Sequence, residues 1–298
     1  MTLAEEIREL AAARGAVILA HNYCRGEVQD VADATGDSLE LARKATQIDA
    51  GTIVFCGVSF MAETAKILNP GKTVLAPDPT AGCAMADMIT GAQLRALKRE
   101  HPKAKAVCYV NSTAEVKAEC DICVTSGNAE KVMATLKGEE ILFVPDRHLG
   151  GYVAGRLGEA YTCWDGFCPV HAELTPDAIR AARAAAPDAP VLVHPECARE
   201  VRELADACLS TGGMCAFARA SAAETVIVGT ERGILHRLRK ENPAKRFVSA
   251  GDLVCPDMKK TTLENLRDAL KYGRHEVTVD PDVAARARRA IEAMLKVS

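Results

Sequence analysis

Short apolar runs alternate along this chain with segments whose apolar residues recur at helical spacing. The runs AVILAH, TIVFCGV, AVCYV, EILFVPD, PVLVH and TVIVGTE are each bounded by Gly, Pro or polar residues, whereas LELARKATQI, AQLRALKREH and PDAIRAARAAA are amphipathic. That alternation predicts βαβ units with parallel sheets and helices on both faces. The pattern also repeats. Segments starting at Ala16, Ala106 and Pro190 each give an apolar run, a polar triplet, an apolar-periodic stretch and a Ser/Thr/Gly turn. A second apolar run, a helical segment and a cysteine-bearing loop then follow in each.

The expected fold is therefore α/β: three homologous three-layer αβα domains with parallel sheets, related by pseudo-threefold symmetry around a central site. The boundaries expected are 1–103 with an N-terminal helix, 104–188, and 189–298 with a C-terminal helix. Units of that size lie within the usual domain range. LAEEIRELAAARG and PDVAARARRAIEAMLKV stand outside the repeat, as amphipathic helices expected over the domain seams.

Register is preserved across the units. His21, Tyr109 and His194 correspond; two residues on, so do Tyr23, Asn111 and Glu196; seventeen on, so do Ser38, Ser126 and Thr211. Cys83, Cys168 and Cys255 complete the pattern, 85 and 87 residues apart. Three equivalent thiolates brought to one axis can hold three corners of an iron-sulfur cluster and leave the fourth iron open, as a Lewis acid. Each of these cysteines follows a strand-like run and small or turn-forming residues, the position that forms the ligand crevice of doubly wound sheets.

Composition narrows the alternatives. The net charge of −3, the absence of a basic block and 4% aromatic residues give no support to a nucleic-acid partner. No stretch approaches the ~18 apolar residues of a membrane span, and the acidic amphipathic start lacks the regions of a signal peptide. A cytoplasmic location is expected. Twelve cysteines in such a chain argue for reduced thiols and a metal site over a disulfide framework. Cys56 and Cys108 lie inside strand runs, and most other cysteines lack counterparts in the remaining units, so buried structural thiols are the expectation. Cys24 follows the first polar triplet and could line the site. Cys120 and Cys123 form a CxxC, yet no second ligand pair accompanies it and it does not open a helix after a strand.

Six hydrogen-bonding or titratable groups at matched strand ends are expected to converge on one cavity. Ser38, Ser126 and Thr211 lead into helical pattern, where N-capping is the plain expectation. A helix N-terminus with a hydroxyl also binds anions, so three such termini could hold three anionic groups.

ILAHNYCRGEVQDVADATGDSLELARKA, CYVNSTAEVKAECDICVTSGNAEKV, VPDRHLGGYVA, VLVHPECAREVRELADACLSTGGM and VCPDMKKTTLENL resemble the quinolinate synthase family of NAD biosynthesis, a likeness covering essentially the whole chain. The resemblance implies a 4Fe-4S cluster held by Cys83, Cys168 and Cys255. It implies condensation of iminoaspartate with dihydroxyacetone phosphate to quinolinate, phosphate and water. It also implies a pocket of His21, Tyr23, Ser38, Tyr109, Asn111, Ser126, His171, His194, Glu196, Ser210 and Thr211, and a functional link to the enzyme that supplies iminoaspartate. Longer members carry a CxxCxxC near the last ligand; GDLVCPDM has one cysteine, which puts thiol-based regulation at that place in doubt.

Glu196 is the expected general base, with a pKa raised toward neutrality by the cluster and substrate anions, Tyr23 the acid or orienting donor, and His21 and His194 their helpers. Two rivals stay open. One is an iron-sulfur hydro-lyase for another small carboxylate; the other is a non-enzymatic zinc or redox-structural protein built on the CxxC.

Overall fold

A computed structural model describes residues 1–297. Among them are three parallel four-stranded sheets of one design. The first holds β1 (Ala16–His21), β2 (Ala34–Gly36), β3 (Thr52–Cys56) and β4 (Thr73–Leu75), in the order β2-β1-β3-β4. The second holds β5 (Lys105–Tyr109), β6 (Ile122–Val124), β7 (Ile141–Val144) and β8 (Thr162–Cys163), in the order β6-β5-β7-β8. The third holds β9 (Val191–Val193), β10 (Ala207–Cys208), β11 (Thr225–Gly229) and β12 (Arg246–Ser249), in the order β10-β9-β11-β12. Every pairing within them is parallel. Helices join consecutive strands, so each sheet is the α/β unit expected from the alternating pattern.

The repeat reaches individual hydrogen bonds. Asp33, Asp121 and Asp206, each twelve residues beyond His21, Tyr109 and His194, turn a carboxylate back onto the strand before them. Asp33 Oδ2 accepts from Ile18 N at 2.7 Å, Asp121 Oδ2 from Ala106 N at 2.8 Å and Asp206 Oδ2 from Val191 N at 2.7 Å. Each also donates its own N–H to that residue's carbonyl, at 2.9 Å in all three. A two-point clamp of this kind satisfies backbone groups that a short strand would otherwise leave open.

The strands are buried on both faces, as β5 illustrates: Ala106, Val107 and Cys108 are all fully enclosed. The two last helices do not stay beside the third sheet. Leu263–Tyr272 packs on the opening helix Leu3–Arg14, next to the first sheet. Pro281–Val297 lies across β6, the helix Ala114–Ala118 and the helix Ser59–Leu68, so its buried Ala287, Ala290, Ile291 and Met294 join the first and second units. Arg286 adds an ion pair to Glu119 at 2.7 Å.

Candidate active site

The first strand of each unit ends at the same cavity, of about 220 Å³. His21 closes β1, Tyr109 closes β5 and His194 follows β9 directly. Tyr23, Asn111 and Glu196 stand two residues further on, and all six line the cavity. The two histidines are held alike. His21 Nδ1 accepts from Tyr23 N at 3.2 Å and His194 Nδ1 from Glu196 N at 3.4 Å, which leaves the proton on Nε2. Burial pushes His21 down to about 3 and His194 down to about 4, so both imidazoles are neutral at pH 7. The His194 Nδ1 contact with Glu196 Oε2 at 3.8 Å is accordingly not an ion pair at that pH.

Glu196 is the hub. Its Oε1 accepts from Tyr109 Oη at 2.6 Å and Asn111 Nδ2 at 3.3 Å, and its Oε2 lies 2.7 Å from His171 Nδ1. Burial alone would push this carboxyl up, but the neighbouring His171 imidazole and the hydrogen bonds from His171 and Tyr109 hold it well below the usual range. The upward shift expected for Glu196 is thus reversed, because donors now seen at both oxygens stabilise the anion. Across the ring, His171 Nε2 is 2.8 Å from Thr230 Oγ1, and Thr230 Oγ1 is 2.5 Å from Tyr23 Oη. A continuous chain therefore runs from Tyr23 through Thr230, His171 and Glu196 to Tyr109. Burial, reinforced by the Glu196 charge, raises Tyr23 well above its ordinary value, so it stays a phenol and can donate.

Cys83, Cys168 and Cys255 come to this cavity from loops associated with the three different sheets. None is in a disulfide and each is partly exposed. Burial pushes the Cys83 thiol up to about 12 and also raises Cys168 and Cys255, so these sulfurs become thiolates only with a cation among them. His171 Nδ1 is 3.2 Å from Cys168 Sγ. Ligand atoms of Cys168, His171 and Glu196 lie within 4.8 Å of one another. Cys24 turns away, buried with its sulfur 3.2 Å from the Cys56 carbonyl.

The hydroxyl residues divide differently from the expectation. Ser38 and Thr211 are the first residues of the helices Ser38–Gln47 and Thr211–Ala220; the caps are Asp37 and Ser210. Asp37 accepts from Leu39 N and Glu40 N on its own helix and from Gly212 N and Ser210 Oγ, both at 3.3 Å, on the other. Two helix termini thus converge on a protein carboxylate, while Ser38 and Thr211 themselves line the cavity. The third helix, Ala129–Ala134, starts after Asn128 with no side-chain cap, and Ser126 instead sits 3.2 Å from His194 Nε2. Ser38, Ser126, Thr211 and His171 line the cavity, while Ser210 is a buried cap beneath it.

Thr230, Glu231 and Lys259 were not legible as site residues. Thr230 and Glu231 follow β11, and Glu231 is fully buried, pairs with Lys259 Nζ at 2.8 Å and accepts from Cys255 N at 3.3 Å. The available signal was the second apolar run of each unit, which ends near the same axis: Val58 after β3 and Glu231 after β11 both reach the cavity.

The family model described as Quinolinate synthetase A protein matches residues 5–296 of the chain. Among curated relatives, a quinolinate synthase of Dehalococcoides mccartyi (strain BAV1) is 53% identical over 296 residues, covering 99% of this chain and 98% of that protein. Those of Methanoregula boonei and Aquifex aeolicus are 53% and 50% identical, covering 98% and 99% of this chain and 97% and 94% of their own lengths.

Proposed function

The chain belongs to the quinolinate synthase family, and from that premise we propose that it condenses iminoaspartate with dihydroxyacetone phosphate to quinolinate, releasing phosphate and water. The observation that carries the reading is the meeting of Cys83, Cys168 and Cys255 in one cavity with the Glu196 hub. The same donor set fits a 4Fe-4S cluster. Three unpaired thiols reach the cavity from three units, and burial disfavours their thiolates unless a metal group compensates. Held by three thiolates, such a cluster supplies one open iron that acts as a Lewis acid toward a substrate heteroatom.

The protein's own groups do the rest. Glu196 is ionised and accepts a proton from a substrate carbon, with His171 and Tyr109 fixing the carboxylate's direction. Tyr23, kept as a phenol and aligned by Thr230, donates to a departing or newly anionic oxygen. Neutral His21 and His194 present Nε2–H to substrate oxygens without adding charge. Ser38, Ser126 and Thr211 bind the carboxylates and phosphate. Free thiols throughout fit a reducing cytoplasm, and among the described residues no helix is long and apolar enough to cross a membrane. An imine hydrolyses readily in water, which favours a functional link to the enzyme that supplies iminoaspartate.

Anaerobic reconstitution with iron and sulfide tests the reading. The expected result is a brown protein with about four irons per chain that forms quinolinate only when both substrates are supplied, and loses activity in air. Full turnover by an iron-free preparation removes the Lewis acid. Dehydration of another small carboxylate with no use of dihydroxyacetone phosphate would favour a hydro-lyase.

A further inference from the structure

The middle residue of the first polar triplet departs from the threefold pattern. Asn22 stands between His21 and Tyr23, where the other two units place Val110 and Pro195. It is fully buried, and its side chain crosses from the first unit to the third. There its Oδ1 accepts from Arg237 Nη1 at 2.9 Å, on the helix Ile234–Glu241, and its Nδ2 donates to Thr211 Oγ1 at 2.9 Å, on the helix Thr211–Ala220. Arg237 is held independently of Asn22. Its Nε donates to Glu241 Oε1 at 2.6 Å, and its Nη1 also lies 3.3 Å from Glu40 Oε2.

These two bonds fix a polarity. A guanidinium only donates, so the amide atom facing Arg237 is the oxygen and the one facing Thr211 is the NH2 group. Asn22 therefore cannot accept the Thr211 proton. With Oγ1 already accepting from Asn22, the Thr211 hydroxyl keeps its hydrogen for another acceptor, and among the described residues no oxygen takes it. Asp37, whose carboxylate reaches the next residue, Gly212, is occupied by Leu39 N, Glu40 N, Ser210 Oγ and Gly212 N. Thr211 is buried and lines the cavity, so the cavity is where that hydrogen finds its partner.

We propose that Asn22 is a positioning residue that commits the Thr211 hydroxyl to donating into the cavity, so that this point of the site takes an acceptor-only oxyanion, a carboxylate or a phosphate. The inference rests on the reading that Thr211 binds a substrate anion, and it adds what sets the polarity of that contact. A threonine hydroxyl otherwise rotates and serves as donor or acceptor. Fixing it beforehand removes that reorientation from the binding step. Because Asn22 and Thr211 belong to different units, the hydroxyl is set only when the first and third units are docked.

The test measures binding of quinolinate and, separately, of inorganic phosphate to anaerobically reconstituted holoenzyme by calorimetry, with KM and kcat for both substrates alongside. Asn22→Asp keeps the shape and the acceptor toward Arg237, whose guanidinium neutralises the added charge. It also gives Thr211 an acceptor that draws the hydroxyl hydrogen away from the cavity. The probe whose anion sits at Thr211 should bind about tenfold more weakly or worse, which tells carboxylate from phosphate, and KM for the matching substrate should rise with kcat little changed. Thr211→Val should weaken the same probe to a similar degree, and adding Asn22→Asp to it should weaken binding little further, because the hydroxyl through which Asn22 acts is gone. Arg237→Met frees the amide to turn over and should give a smaller loss that Arg237→Lys restores. Unchanged binding in Asn22→Asp, or a full further loss in the double variant, would overturn the inference while quinolinate formation by the wild type stands. Should Asn22→Asp fail to take up iron, the Arg237 pair decides: no loss in Arg237→Met overturns the assignment equally. A wild type that binds neither probe and forms no quinolinate removes the functional reading and the inference with it.

Discussion

Two sets of three cysteines sit in this chain, and their contrast shows what sequence distance means for a site. Cys83, Cys168 and Cys255 are far apart in sequence and meet because three copies of one unit turn the same loop toward a common cavity. Cys108, Cys120 and Cys123 are close in sequence and meet within one strand pair and its connecting turn. The first set is joined by tertiary packing of whole units, so anything it binds also braces those units together. The second needs only local structure within one unit. A CxxC spacing draws attention in a sequence, yet the equal spacing across the repeat carries more information about function, because local proximity is common and threefold coincidence is not.

The sharpest way to break this contrast is to exchange the consequences. Cys168→Ser, or the same change at Cys83 or Cys255, is expected to abolish iron binding and activity, whereas Cys120→Ser or Cys123→Ser keeps both. Iron and sulfide content of anaerobically purified variants, with quinolinate formation, reads the difference. Loss of iron from Cys120→Ser with retention in Cys168→Ser would exchange the roles of the two sets.

Within the central set, the next largest effect belongs to Glu196. Glu196→Gln keeps the shape and removes the charge, and should lower kcat by ~10² or more at unchanged iron content. Single-turnover kinetics checks it. Near-normal turnover would move the base to His194 or His21 and leave Glu196 as a spacer between His171 and Tyr109.

Much of the fold was readable because one physical pattern was written three times. Apolar runs of strand length, helical periodicity and strand-end polar residues reappear at matched spacing, and the sheets repeat one strand order. The cavity was readable for the same reason at His21, Tyr109 and His194. What stayed hidden broke the repeat or depended on contacts between units. Glu196 was legible, yet the direction of its pKa shift was missed, because His171 sits on the short helix Pro169–Ala172, which has no counterpart among the polar triplets. Asp37 was missed because its second partner, Gly212, lies on another unit's helix. Pro281–Val297 showed amphipathic spacing, but spacing alone does not identify the surface that an apolar face covers.

Acid sensitivity provides a smaller, distributed effect. His21 and His194 titrate near 6.5 in the unfolded chain and at about 3 and about 4 when buried. Unfolding therefore takes up protons below pH 6.5, so the stability these histidines lend is complete above that pH and is lost as pH falls toward 4. The loss is read as a falling urea midpoint of the iron-free protein. His21→Asn should flatten the profile. Cysteine substitutions in the lateral set should leave its slope unchanged, since no histidine adjoins them.

The smallest effect tests how finely the central set is tuned. Thr230 touches both Tyr23 and His171 but nothing identifies it as a reacting group, so it acts as a positioning residue for the two. Thr230→Val keeps the volume and removes the hydroxyl that joins the phenol to the imidazole. A lost buried hydrogen bond of about 1–1.5 kcal/mol corresponds to roughly a tenfold fall in rate. The loss should appear in kcat with KM nearly constant, and Thr230→Ser should restore most of it by replacing the oxygen. Ser126→Ala should do the reverse, raising KM a few-fold, by roughly 1 kcal/mol of binding, with kcat preserved. If Thr230→Val changes KM alone, Tyr23 needs no alignment from this side, and the chain from Tyr23 to Tyr109 is two separate networks meeting at His171.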